Sequence, residues 1–427
     1  MRYEPIEKEL YIQNRKAFRA YLKPRALAVF HSNDIMPTSA DGTMPFVQHS
    51  DIFYLTGIDQ EDTILVVAPD VRNEKHREVL FVKRTNPHIR VWEGEKLTKA
   101  QARERSGIQT VYWTDEFDSI FPQLAFEAEC LYLNHNEHSR ATRDVQTRDD
   151  RFIERCQREY PLHRYERIAP IMHEIRAVKS EREIEQMQKA CQITEKGFRR
   201  ILSFIRPEIM EYEVEAELAH EFIRNGSRGF AYDPIIASGA NACALHYITN
   251  DDQCKAGELI LMDFGAEYGN YHSDLSRTVP VSGRFTPRQR ELYDMVLDLQ
   301  RQAMQLLTPE RSVNEYHEEV GKRATEAFLR IGLLDKDEVK SEDSKAYKKY
   351  FMHGTSHHIG LNTHDYGRFD LPIQPGMVFT CEPGVYLPEE GIGIRLENDI
   401  VVTENGYRDL MENIPIEAEE IEDLMNK

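Results

Sequence analysis

The chain has 427 residues, 41% of them hydrophobic, with 54 Lys and Arg against 73 Asp and Glu and a formal net charge of −19. At roughly 100–200 residues per domain, that length allows two or three domains with cores of their own and excludes a disordered chain. The acidic balance argues against a phosphate backbone or an anionic bilayer as partner, so neither nucleic acid nor membrane is expected.

No apolar run approaches the ~20 residues that a spanning helix needs. The opening Met1-Arg2-Tyr3-Glu4-Pro5 is not followed by a signal-type apolar region. Six cysteines without a CxxC pair do not make a disulfide framework. A cytoplasmic protein with reduced, mostly buried thiols is the expectation.

In chain order, helix-like stretches at 4–21, 97–106 and 139–160 alternate with β-rich runs at 26–30, 63–68, 79–82 and 130–133, an α/β pattern. Ser180-Glu181-Arg182-Glu183 is a capping box. It opens a long amphipathic helix with Ile184, Met187, Cys191, Phe198, Ile201 and Ile205 at three-and-four spacing. The domain boundary is therefore expected just before it, giving domains 1–172 and 173–427.

Beyond the boundary, a second helix at about 211–225 closes on Gly226 and leads into strands over 234–279. Capping boxes at Thr286-Pro-Arg-Gln289 and Ser312-Val-Asn-Glu315 then start two more helices, and strands follow at about 377–402. This repeated helix, helix, strands order suggests two related halves of one α/β (α+β) domain. The tail from Pro415 reads as a short acidic amphipathic helix.

The chemistry concentrates in this second part. The stretch from Glu258 to Val279 reads as a hairpin turning on Tyr268-Gly269, a register that sets Asp263 directly opposite Asp274. Like charges facing each other across a sheet are destabilising, and a divalent cation between them is the economical remedy. His353-Gly-Thr-Ser-His357-His358-Ile-Gly-Leu-Asn-Thr-His364 puts four histidines in twelve residues, a density that points to metal or proton chemistry.

Two further carboxylates, Glu382 and Glu397, sit on apolar strands and need partners there. Arg395, two positions before Glu397, shares its strand face. Four carboxylates with imidazole and no thiolate motif form a hard donor set suited to Mn²⁺, Mg²⁺ or Co²⁺, and exceed what one ion needs. Two ions sharing a hydroxide and polarising a carbonyl fit the count, as in aminopeptidases.

The set Asp263, Asp274, His357, Glu382 and Glu397, with the His353-Gly-Thr-Ser-His357 signature, resembles the pita-bread metallopeptidases. Phe46-Val-Gln-His-Ser-Asp51-Ile-Phe-Tyr54-Leu-Thr-Gly57 is similar to the N-terminal domain of one branch of them, the aminopeptidase P or Xaa-Pro aminopeptidase family. The resemblance covers nearly the whole chain. It implies an N-terminal α/β domain followed by a C-terminal pita-bread catalytic domain. It also implies a homo-oligomer, dimer or tetramer, in which Trp92 can reach a neighbouring subunit's site.

The resemblance further implies two divalent ions, Mn²⁺, with Asp263 chelating one, His357 and Glu382 holding the other, and Asp274 and Glu397 bridging. It makes Glu382 the general base, His246 a substrate contact near the scissile bond, and His353 and His364 the groups on the proline side. Tyr232 falls near the substrate's amino end, and Arg395 and Tyr386 support the carboxylates. His358 stands where many relatives carry an aromatic residue.

The implied substrates are peptides with proline in the second position. An Xaa-Pro bond is a tertiary amide without N–H, so a protease that grips the scissile amide hydrogen loses its handle, and the proline nitrogen must be protonated to leave. An Xaa-Pro dipeptidase (prolidase) on the same fold, or a non-catalytic peptide-binding module, are the alternatives. All the ligand positions are filled here, which weighs against the module.

Overall fold

The computed structural model describes residues 2–142, 144–309, 311–339 and 345–427. The chain forms two compact units, Pro5–Arg176 and Ala177–Lys427 together with Met1–Glu4; the sequence pattern alone sets the division at 172/173.

In the N-terminal unit the elements run α1 (Lys8–Arg19), β1 (Ala26–His31), α2 (Ser50–Thr56), β2 (Ile64–Val67), β3 (Glu78–Val82), α3 (Pro87–Glu93), α4 (Lys99–Ser106), β4 (Thr110–Trp113), α5 (Phe117–Glu127), β5 (Cys130–Leu133), α6 (Arg148–Glu159), β6 (Arg164–Arg167) and α7 (Ala169–Ala177). The strands make one mixed sheet in the order β4-β3-β2-β1-β5-β6. Its central strands, β1, β2 and β5, are buried along their whole length, so they read as unbroken apolar runs instead of alternating ones. Leu27, Val29, Val66, Phe81, Phe121 and Leu131 form the core on one side.

The expected helix over 139–160 begins only at Arg148, where Thr147 caps it and Asp150 completes the box. β6, Arg-Tyr-Glu-Arg at the sheet edge, escaped sequence reading because an edge strand needs no apolar face.

The second unit runs α8 (Glu181–Leu202), α9 (Glu211–Arg224), β7 (Ile235–Ser238), β8 (Leu259–Phe264), β9 (Glu267–Tyr268), β10 (Tyr271–His272), β11 (Leu275–Pro280), α10 (Pro287–Leu306), α11 (Val313–Arg330), β12 (Val378–Cys381), β13 (Gly384–Leu387), β14 (Ile392–Arg395), β15 (Asn398–Thr403), β16 (Gly406–Asp409) and α12 (Ala418–Met425). The capping boxes at Ser180, Thr286 and Ser312 form as their sequences dictate. α8 packs on α9 and α10 on α11, and the strands pair as β11-β8-β7, β12-β15-β16 and β13-β14, all antiparallel.

The hairpin corrects the expected register. Its turn is Gly269-Asn270, with φ of 60° and 67°, so Tyr268 pairs with Tyr271 and Asp263 lies opposite Ser276, not Asp274. A two-residue turn of this kind demands positive φ at both central residues, which Asn accepts and Tyr resists. Asp274, two positions from Ser276, remains on the face of Asp263 as its diagonal neighbour. The strands close in tightly there, since a Cβ on Gly265 would lie 1.7 Å from the Ser273 carbonyl oxygen.

All six cysteines are free thiols, five of them buried and Cys243 half-buried. Among the described residues no helix is long and apolar enough to cross a membrane.

Candidate metal centre

Strands β8 and β11, the segment around His357, and the ends of β12 and β14 bring the acidic and imidazole groups of the second unit together. Asp274, His357 and Glu397 each offer a ligand atom within 4.8 Å of the others. Glu382 joins this cluster through His357, whose Nε2 is 3.7 Å from Glu382 Oε1 and 3.5 Å from Asp274 Oδ2. Asp263 joins it through Tyr232, whose hydroxyl hydrogen is shared between Asp263 Oδ1 at 2.6 Å and Asp274 Oδ1 at 2.5 Å.

The tautomers follow from the backbone. His357 Nδ1 lies 3.0 Å from the His358 carbonyl oxygen, which can only accept, so Nδ1 carries the proton and Nε2 turns its lone pair toward Asp274 and Glu382. A backbone carbonyl fixing Nδ1–H while Nε2 faces carboxylates is the usual setting of a metal-binding imidazole. His353 is arranged likewise, with Nδ1 donating to the Gly354 carbonyl at 2.8 Å and Nε2 accepting from Tyr386 Oη at 2.7 Å. The Nδ1 edge of His353 also faces Glu382 Oε2 at 3.5 Å.

Arg395 ties the supports into one network. It donates to Asp263 Oδ2 at 2.6 Å, to Tyr386 Oη at 2.9 Å and to Ser276 Oγ at 2.8 Å, and Ser276 donates to Glu397 Oε2 at 2.6 Å. Sequence reading missed Ser276, which lies on the same strand face as Asp274. It also missed Arg277, which is buried and donates to the Glu397 carbonyl at 2.8 Å and to Asn398 Oδ1 at 2.8 Å. Asp399, the third omission, accepts the Asp274 backbone N–H at 3.1 Å.

Electrostatically the cluster lacks positive charge. Burial pushes the Asp274 carboxyl well above the usual range, and the nearby Asp263 pushes it further. Glu397 is raised by burial and then by Asp274 and Glu382. Burial lifts Glu382 to about 7 against the opposing pull of His357 and Arg395. Burial and the Arg395 charge hold His353 down at about 3, which keeps its ring neutral. Arg395 supplies one cation for four carboxylates, and oxygen donors with a lone-pair imidazole suit divalent ions. The donor set therefore fits metal.

The sign of the pH effect follows. A carboxyl whose folded pKa is raised adds stability that is fully present below its unfolded value and lost as pH rises through the folded one. A divalent ion removes that loss, so the rise in melting temperature on adding metal should be larger at pH 8 than at pH 5. A rise independent of pH, measured by scanning calorimetry, would contradict the arrangement.

The other expected residues fall around the cluster. His364 is exposed, with its ring centroid 4.4 Å from that of His357. His246 is exposed in the turn after the short 3₁₀ segment Gly239–Cys243, close enough for its charge to lower His353. His358 alone of the four clustered histidines turns away. It is buried with its ring 4.3 Å from Phe379, neither ring nitrogen hydrogen-bonded, and takes the part of an aromatic residue.

Comparison with known proteins agrees with this geometry. Residues 185–404 match metallopeptidase family M24, and residues 11–132 match the aminopeptidase P N-terminal domain. The chain is 32% identical to Xaa-Pro aminopeptidase of Haemophilus influenzae, covering 99% of this chain and 98% of the relative, and 33% identical to that of Escherichia coli K12, covering 98% of each.

Among solved structures, aminopeptidase PepP of Pseudomonas aeruginosa superposes with a TM-score of 0.90 at 31% identity, over 99% of this chain and 98% of that one. Zn-substituted E. coli aminopeptidase P in complex with product gives 0.88 at 32%, over 99% of both. The protein is thus a metallopeptidase with a pita-bread domain following an aminopeptidase P N-terminal domain. Within family M24 the chain belongs to the Xaa-Pro aminopeptidases.

Proposed function

We propose that this chain hydrolyses the first peptide bond of peptides with proline in the second position, releasing the residue before the proline, with two divalent ions held by Asp263, Asp274, His357, Glu382 and Glu397. The observation that carries the reading is the His357 imidazole turned by the His358 carbonyl to aim Nε2 at Asp274 and Glu382. Asp274 and Glu397 would be shared between the two ions, with Asp263 holding one and His357 and Glu382 the other. When bound, the ions supply Lewis acidity, lowering the pKa of water and polarising the scissile carbonyl. A donor set of four carboxylates and one imidazole favours Mn²⁺.

The chain's own groups do the rest. Glu382, beside His357 Nε2, is the general base that takes the proton of the attacking water and passes it to the proline nitrogen as the bond breaks. His353 and His364 face the proline side, and His246 contacts the substrate near the scissile bond. His353 keeps its proton on Nδ1, the edge that faces Glu382. Tyr232 serves the substrate's amino end, while Tyr386 and Arg395 hold the neutral His353 and the carboxylates in place.

Free thiols throughout support a reducing cytoplasm. Val91 and Trp92, exposed on α3, support a homo-oligomer, dimer or tetramer.

The experiment is hydrolysis by Mn²⁺-loaded protein of Ala-Pro, Ala-Pro-Ala, a longer Ala-Pro peptide and Ala-Ala-Ala, with and without chelator. Chelator-sensitive release of alanine from the longer Ala-Pro substrates is the expected result. Cleavage of Ala-Pro alone would make the protein a dipeptidase, and no cleavage of any member would overturn catalysis.

A further inference from the structure

Outside the metal centre the second unit holds another wholly buried carboxylate, Glu211, at the first turn of α9. Among the described residues no ion pair reaches it; its hydrogen-bond partners all belong to one segment. Oε1 accepts from the Ser238 backbone N–H at 2.7 Å, from Ser238 Oγ at 2.8 Å and from Asn241 Nδ2 at 3.3 Å. Oε2 accepts from Tyr247 Oη at 2.8 Å and from the Asp252 backbone N–H at 3.0 Å. A carboxylate with five donors is a charge-assisted hub. These five come from both ends and the middle of the segment 238–252, and the Glu211 N–H in turn donates to the Asp252 carbonyl at 3.0 Å.

That segment carries His246, next to the tethered Tyr247. Its opposite side packs on β14, where a Cβ on Gly393 would lie 2.4 Å from the Ala242 carbonyl oxygen. Ala242, with Leu245 and Tyr247 at its margin, belongs to the same apolar cluster as Tyr386, the residue that donates to His353. The loop is thus held between Glu211 and the strand that ends in Arg395, with the exposed His246 imidazole at its tip. An imidazole on a loop is only as well placed as the loop, and a displacement of about 1 Å can cost up to ~10²-fold in rate.

We propose that Glu211, acting through Tyr247, is a positioning residue that sets His246 against the substrate. This rests on the reading that His246 contacts the substrate. The test is a double-mutant cycle on the Mn²⁺-loaded, full-length protein, following kcat and KM for a longer Ala-Pro peptide. Tyr247→Phe removes one of the five bonds to Glu211, together with the hydroxyl's contact to Asp251 Oδ1 at 3.3 Å, and leaves the other four, so folding and metal content should be unchanged while kcat falls by about tenfold. Glu211→Gln keeps the shape of the hub but not its charge, and should lower kcat further.

In a His246→Ala background, Tyr247→Phe should have no further effect, because the group it positions is gone. A structural role acting through the metal centre would instead lower the rate equally in both backgrounds. Full activity of Tyr247→Phe, or an undiminished loss beside His246→Ala, overturns the proposal. Full activity of His246→Ala overturns the role of His246 itself, and the proposal with it.

Discussion

Replacing Asp274 with alanine should leave a folded protein without activity, and the metal-free variant should melt no lower than the metal-free wild type. Both halves of that expectation come from one cause. Asp274 is buried against Asp263, and its ionised form is disfavoured by burial and by that neighbour. Without a cation, removing it relieves more repulsion than it forfeits bonding. With a cation it is the carboxylate that reaches both His357 and, through Tyr232, Asp263.

Losing that ligand should remove several kcal/mol of transition-state stabilisation, about 10³-fold or more in rate at ~1.36 kcal/mol per decade. Adding Mn²⁺ should then raise the melting temperature of the wild type but not of the variant. Retained turnover, or an undiminished metal-dependent rise, would refute the assignment. The stability of the unmetallated fold is here traded for function.

The second large effect lies behind the histidine segment. Lys179 Nζ and Asp365 Oδ2 are 3.2 Å apart with both side chains almost wholly buried. They lie against Gly360, where a Cβ would come within 2.3 Å of Asp365 Oδ2 and 2.9 Å of Lys179 Cε. The Asp365 N–H donates to the His358 carbonyl at 2.8 Å, so the residue that carries the ion pair also fastens the turn of His364 back onto the segment of His357. Lys179→Met takes the cation away from the buried Asp365 carboxylate and should cost about 3–5 kcal/mol in denaturant unfolding. Lys179→Met combined with Asp365→Leu should recover most of it, since an apolar pair of similar volume needs no compensation. A single-variant loss below about 1 kcal/mol would show that the pair does not bear on stability.

How much of this was legible in the sequence depended on the range of the interaction. Capping boxes at Ser180, Thr286 and Ser312 involve residues three apart and formed as read. The histidine cluster and the carboxylates on apolar strands were legible because buried charge is rare enough to demand a reason. The hairpin was legible, but its register was not. Asp263 shifted from facing Asp274 to facing Ser276 because the left-handed residues were Gly269 and Asn270.

Ser276, Arg277, Asp399 and Glu211 stayed hidden for one physical reason. Each owes its role to partners on other elements, as in the Ser276 to Glu397 bond across 121 positions, and no local pattern encodes such partners. The edge strand β6 was illegible because hydrogen bonding to β5, not an apolar face, makes it a strand.

The spread along the chain of the proposed metal ligands and the residues that support them has a kinetic consequence. Ser276 and Glu397 are 121 positions apart, and Arg395 and Asp263 132, so no folding intermediate that lacks the docking of β14 on the β8–β11 hairpin offers the complete set. Closing loops of that length is slow and comes late. Interactions formed only after the transition state act on unfolding and not on folding. Ions bound at the proposed site would therefore act as a latch on the finished domain, lengthening the lifetime of the native state without guiding the chain toward it.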